Sequence, residues 1–131
     1  MSQKFTILFD LDGTLVNTAP DLMHAHNHVM KKYGYNKRKL SDIRKLAGGG
    51  SKTMLTRSIH EIAELSGRIK KTDDVIEEMT KEFIDYYSKN ILAESTLKKG
   101  VIDFLSWCKK NSISMGVCTN KQEHLSIDLL K

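Results

Sequence analysis

The sequence predicts an α/β fold: two short parallel strands with their helices, interrupted by a long all-helical stretch. Three observations predict it. The apolar run Phe5–Phe9, rich in β-branched and aromatic residues, ends in a carboxylate, Asp10. Its length and composition suit a strand buried on both faces of a parallel sheet. A second apolar run, Ser112–Cys118, reads the same way and ends in Thr119-Asn120-Lys121. Between the two, from about Thr18 to Leu92, apolar residues recur only at helical spacing.

The elements follow in order. After the first strand, Gly13 permits a sharp turn that brings backbone N–H groups toward whatever Asp10 touches. Thr18 is placed to cap a helix from about Pro20 to Tyr33, with Pro20 and Asp21 in its first turn and Gly34 as its stop. Leu22, Ala25, Val29 and Met30 share one face of that helix. Ser41 is placed to cap a short helix, Asp42 to Ala47. Gly48-Gly49-Gly50 then leads to Ser51, the expected cap of a helix running to Ser66 and stopped by Gly67, with Leu55, Ile59, Ile62 and Ala63 inward. Beyond a basic loop at Arg68 to Lys71, Thr72 caps a long helix, Asp73 to Lys89, whose stripe is Val75, Ile76, Met79, Phe83 and Tyr87. Those aromatic residues read as core rather than as a binding box. Leu97 to Gly100 opens a helix reaching Asn111, with Val101, Leu105 and Cys108 inward and Trp107 at a half-buried rim. After the second strand, a last helix spans Gln122 to Lys131.

Composition narrows the class. The length of 131 residues is one domain's worth, and no apolar stretch approaches the ~20 residues needed to span a bilayer. Two cysteines, Cys108 and Cys118, are too few for a disulfide framework, and the first strand leaves little room for a signal peptide ahead of it. A reducing cytoplasm is the expected compartment. The net charge is +5, but the lysines are scattered and not interleaved with aromatic residues, so no nucleic-acid partner and no membrane is expected.

The chemistry concentrates in Asp10-Leu11-Asp12-Gly13-Thr14-Leu15. One carboxylate stands at a strand's carboxyl end, where open α/β sheets place their ligands. The other follows past the turn, able to move a proton. A carboxylate nucleophile forming an aspartyl-phosphate is an established mode of covalent catalysis. An isolated Asp-Gly would be only a turn; the apolar strand feeding the whole string favours a site. Thr119 and Asn120, at the second strand's tip and before a helix start, offer a hydroxyl and fresh N–H groups to an oxyanion. His24 and His28 lie four apart on one helix, but with no third ligand nearby a solvated or interface pair is the better account. Gly48 to Lys52 lacks the order of a Walker loop, so a flexible connection is the simpler reading.

The opening string resembles the first motif of the haloacid dehalogenase superfamily of phosphohydrolases. The resemblance implies that Asp10 is the nucleophile and Asp12 the general acid/base. It also points to phosphoryl transfer, because relatives that cleave carbon–halogen bonds lack the second Asp. Strand-Thr119 resembles the second motif, which binds the transferring phosphoryl group; Gly13, Thr14, Asn120 and Lys121 join it as candidate phosphate contacts. For Lys121 a surface position at a helix start is an equal alternative. The all-helical stretch resembles the small cap of the phosphoglycolate phosphatase-like subgroup. Within it, Gly49 and Gly50 resemble a cap loop that helps select the leaving group. Arg57 is placed to meet an anionic substrate, although a surface Arg is the easier account.

What the resemblance implies is a HAD-like Rossmannoid core, incomplete at two parallel strands plus helices, over 1–17 and 93–131, with a helical cap over 18–92. The expected substrate is a small phosphorylated metabolite, 2-phosphoglycolate first. The expected cofactor is Mg²⁺, held by Asp10 and Asp12. A later Lys motif and a later Asp motif, both belonging to strands beyond the second, have no counterpart here. The chain is therefore expected to be truncated, or completed by another polypeptide, with an open sheet edge that invites self-association. A sugar-phosphate mutase and a non-catalytic binding piece are the alternatives.

Overall fold

A computed structural model describes residues 4–66 and 73–131. The expected stop at Gly67, the basic loop and the cap at Thr72 lie outside these residues, as do the side chains of Ala63 and Asp73. Ten elements follow in order: β1 (Thr6–Phe9), β2 (Val16–Asn17), α1 (Ala19–Lys32), α2 (Leu40–Leu46), α3 (Ser51–Ser66), α4 (Asp73–Lys89), β3 (Thr96–Leu97), α5 (Val101–Lys110), β4 (Ser114–Val117) and α6 (Glu123–Leu130). The result is a partial Rossmann-like core of two parallel strands, with six helices among the described residues.

β1 and β4 pair in parallel, Thr6 opposite Ser114 through Phe9 opposite Val117. Cys118 N–H donates to Phe9 O at 2.8 Å, so the ladder runs on to the strand tips. Asp10 and Thr119 therefore emerge at the same end of the sheet.

β1 and β4 were expected to be buried on both faces, and they are not. Leu8 is 67% exposed, and Met115 and Val117 are open as well. The reason is the sheet's size. α5 packs against β4, and Phe104 of α5 meets Phe9 edge-on at 6.0 Å, but among the described residues nothing covers the side that Leu8 faces. Cys108 is buried as expected, whereas Trp107 is exposed and stacks on Phe104 at 5.9 Å.

The helical stretch, by contrast, closes on itself. α1 packs on α2 and α4, and α3 on α4. The faces read from periodicity meet in one cluster that includes Val29, Met30, Leu55, Ile59, Met79 and Phe83. Each such side chain contributes about 1.5–3 kcal/mol when taken from water.

Helix ends differ in detail from expectation. Thr18 precedes α1 but makes no side-chain cap bond; its carbonyl accepts from Leu22 N–H. Gly34 ends α1 with φ +79°, and Tyr35 N–H reaches back to Met30 O at 2.8 Å. α2 begins one residue before Ser41, which therefore lies inside the first turn; Asp42 accepts from Lys39 N–H instead.

A short antiparallel ribbon escaped the sequence reading. β2 and β3 pair Val16 with Leu97 and Asn17 with Thr96, where the chain leaves the sheet for the helices and returns. Asp21, buried at the start of α1, accepts from Glu94 N–H and from Ser95 Oγ at 2.6 Å, fastening the return strand to α1. Among the described residues no helix is long and apolar enough to cross a membrane.

Candidate active site

The tip of the two-stranded sheet and the helical insert enclose one cavity. Asp10, Asp12, Thr119, Asn120 and Lys121 line it from the sheet side; Gly48, Gly50, Ser51, Met54, Phe83 and Tyr87 line it from the insert. Six of the expected site residues, Gly50 among them, therefore meet at one place, although 109 positions separate Asp10 from Thr119 in sequence.

Asp10 follows β1 directly. Leu11 N–H donates to its Oδ1 at 2.8 Å, which fixes the carboxylate and leaves Oδ2 as the free oxygen. Leu11 is fully buried, so the turn pivots on an anchored residue. Its carbonyl accepts from Thr14, Leu15 and Val16 N–H, and Gly13 N–H donates to Val16 O at 2.7 Å. Gly13 sits at φ +78°, the conformation that favours glycine here. Both N–H groups expected to face the phosphate are thus spent inside the turn, and Gly13 and Thr14 stand outside the cavity lining. The turn instead aims Asp12 at the cavity.

Lys121 is the cation of the site. Its side chain is 4% exposed, and Nζ lies 3.0 Å from Asp12 Oδ1. That contact is ionic rather than directed, since Asp12 Oδ1 has no hydrogen-bond partner. Nζ also donates to Tyr87 Oη at 2.8 Å and lies 4.3 Å from the centre of that ring. Burial pushes the Lys121 amine down from its usual range, and Asp12 draws it back up. Burial, helped by the charges of Asp12 and Asp21, pushes the Tyr87 phenol well up, so it remains a neutral hydroxyl.

Thr119 Oγ1 accepts from Lys121 N–H at 3.1 Å, which leaves its hydroxyl proton to donate. The Asn120 amide is committed elsewhere: Nδ2 donates to Gly48 O at 2.9 Å. Gln122 Nε2 donates to Ser51 Oγ at 3.2 Å. These two bonds tie the loop after β4 to the glycine loop. At Gly50, with φ +86°, a Cβ would stand 3.1 Å from Asn120 O, so the close approach needs glycine. Gly49 turns away and lies against Thr53, and Gly48 takes the lining position instead. The structure does not bring Arg57 to the cavity; it is exposed on α3.

Sequence reasoning missed Tyr87 as a site residue, because its place in the buried stripe of α4 explained it already. The available signal was its hydroxyl, since a buried Tyr needs a partner for its polar tip. The histidine pair does not converge: His24 meets Glu94 at 2.9 Å and His28 stacks on Tyr86 at 4.4 Å. Among the described residues no three His, Cys, Asp or Glu side chains gather as a metal cluster.

Comparison with known proteins agrees with this geometry. The family model described as haloacid dehalogenase-like hydrolase matches residues 7–131. The chain is 33% identical over 125 residues to the phosphoglycolate phosphatase of Mesorhizobium japonicum, covering 95% of this chain and 53% of that protein. It is 35% identical over 125 residues to the phosphoglycolate phosphatase of Caulobacter vibrioides, covering 95% and 51%. Among solved structures, a predicted phosphoglycolate phosphatase from Haemophilus somnus superposes with a TM-score of 0.83 at 28% identity, covering 95% of this chain and 55% of that one. The chain spans about half the length of the curated relatives it matches. With the Asp10-to-Leu15 string at a strand tip, Thr119 beside it and the family match along nearly all its length, the chain belongs to the haloacid dehalogenase-like hydrolases.

Proposed function

We propose that this site hydrolyses phosphomonoesters through an aspartyl-phosphate on Asp10, with a small phosphorylated metabolite as substrate and 2-phosphoglycolate the first candidate. The observation that carries the reading is the convergence of Asp10, Asp12, Thr119 and Lys121 on one cavity. The names borne by the relatives support the choice of substrate.

Asp10 Oδ2 attacks phosphorus in line with the ester oxygen, and the P–O ester bond breaks. Asp12 gives its proton to the departing alkoxide. Asp12 then takes a proton from water, whose oxygen attacks phosphorus and frees Asp10 with inorganic phosphate. Thr119 Oγ1–H and the Lys121 ammonium offset charge on the non-bridging oxygens, since phosphoryl transfer depends mainly on positioning and electrostatics. The insert limits water in the cavity during the first step.

Asp10 and Asp12 fit the needs of Mg²⁺. Both offer hard oxygens on one turn: Asp10 has the Oδ2 that Leu11 N–H leaves free, and Asp12 has its backbone carbonyl, while Asp12 Oδ1 already lies against Lys121. Mg²⁺ usually takes one or two carboxylates and leaves its other positions to phosphate and water. When bound, the ion offsets the repulsion between Asp10 and a phosphate dianion. The proposed division is a core over 1–17 and 93–131 and a cap over 18–92; the β2–β3 ribbon, close to both crossings, supports it.

The test compares the chain with Asp10→Asn on p-nitrophenyl phosphate and Mg²⁺. The variant is expected to lose roughly 10³-fold or more in turnover, as removal of a covalent nucleophile does. Equal rates would remove Asp10 from its role. Binding of inorganic phosphate with no turnover in either protein would leave a binding piece.

A further inference from the structure

Tyr87 belongs to the insert, yet its hydroxyl touches the sheet side of the cavity. The ring is 1% exposed on α4, and Oη stands 2.8 Å from Lys121 Nζ. The same Nζ stands 3.0 Å from Asp12 Oδ1. We infer that Tyr87 is a positioning residue for Lys121, fixing the ammonium between Asp12 and the cavity so that it meets the substrate phosphate. The inference rests on the phosphomonoesterase reading of the site.

A lysine is a point charge on a flexible four-carbon stem, so its effect depends on what holds its head. Asp12 alone would draw the ammonium onto its carboxylate, where it neutralises the acid/base and offers little to substrate. Tyr87 supplies a second acceptor on another element. An ammonium has three N–H donors. With one on Tyr87 Oη and one side toward Asp12, a donor remains for a phosphate oxygen. The phenol serves because it stays neutral: burial and the nearby carboxylates hold it protonated, so it accepts without adding charge.

The arrangement also links the cation to closure of the insert. Lys121 lies between Thr119, which closes the second strand, and α6, whereas Tyr87 lies on α4. The two meet only while the insert sits on the sheet tip, where Asn120 to Gly48 and Gln122 to Ser51 also join. An insert that lifts takes the acceptor away and releases the ammonium.

The experiment uses Tyr87→Phe, Lys121→Gln and the double variant of the full chain. Phenylalanine keeps the buried ring and removes only the acceptor. Inorganic phosphate should bind about tenfold more weakly to each single variant and no more weakly still to the double variant, since residues acting as one unit are not additive. Where turnover is measured, the loss in Tyr87→Phe should fall on KM rather than kcat and should vanish in the Lys121→Gln background. A merely structural tyrosine would cost the same with and without Lys121.

Undiminished phosphate affinity in Tyr87→Phe overturns the inference, as do additive losses in the double variant. Failure of the underlying reading looks different: Asp10→Asn would keep its turnover, whatever Tyr87→Phe does to phosphate affinity.

Discussion

The helical insert and the strand layer have similar apolar content and opposite fates. In the insert, Met54, Leu55, Ile59, Met79 and Phe83 are each at most 2% exposed. In the strand layer, Leu8, Phe104, Trp107, Met115 and Val117 are each more than 40% exposed. The insert has a stripe opposite every stripe, because α4 meets both α1 and α3. Among the described residues, the main helix packing on the layer is that of α5 against β4. The cavity lies on the seam between the two, with its carboxylates from the layer and its walls from the insert. The apolar burial is therefore concentrated in the insert, while the reactive oxygens belong to the less covered part.

The sharpest way to break that comparison is a large cavity in the insert. Phe83 is buried on α4 and packs on Tyr87 with ring centres 5.9 Å apart. Phe83→Ala should cost about 3–5 kcal/mol in urea unfolding. A cost below about 1 kcal/mol would show that the insert does not carry the fold, since such a value belongs to a surface position.

A pH scan sharpens the same point from inside the insert. His26 is fully buried on α1, with Nε2 3.0 Å from Ser58 Oγ on α3 and Nδ1 3.3 Å from Asn27 Oδ1. Burial lowers its pKa from 6.5; the Asn27 bond raises it, and the charge of Arg38 lowers it further. The folded protein thus holds the neutral ring, while the unfolded chain takes a proton first as pH falls. The contribution is complete above about 6.5 and is lost on acidification toward the lowered folded pKa. Unfolding free energy should be flat from pH 8 to about 7 and decline below, and His26→Gln should flatten that decline. An unaltered decline in the variant would assign it to other groups.

The contrast also explains what could be read in the sequence. Helix α4, Asp73–Lys89, was legible to the residue because its apolar stripe is local and its neighbours complete it. Asp10, Asp12 and Thr119 were legible because each lies within three residues of a strand's end, a local feature, whereas Lys121, four residues past β4, read equally well as a surface residue. The ribbon of Val16–Asn17 with Thr96–Leu97 was not, because two-residue strands have no periodicity and their pairing spans some 80 residues. The exposure of β1 was misread for a related reason: composition records what a strand suits, not what covers it. Tyr87 sits at the limit, since its ring obeys the helical stripe while its hydroxyl answers to Lys121, 34 positions away.

The smallest expected change in stability lies on the bare face. Leu8 of β1 is 67% exposed, and its side chain lies across from Gly116 of β4. The β1–β4 ladder has only two strands among the described residues, so each strand carries one unpaired edge beside apolar surface. Such an edge pairs with other chains unless a charge blocks it. We propose that the chain self-associates through this face. Leu8→Lys keeps an aliphatic stem over Gly116 and places an ammonium in solvent. Its unfolding free energy should stay within about 0.5 kcal/mol of the parent, as for an exposed position. Its light-scattering mass at raised concentration should fall toward that of one 14.9 kDa chain. A parent that is already monomeric would exclude association through this face. A loss of stability above about 1 kcal/mol would show that Leu8 is packed rather than bare, and the contrast between the two halves would fail at its most exposed residue.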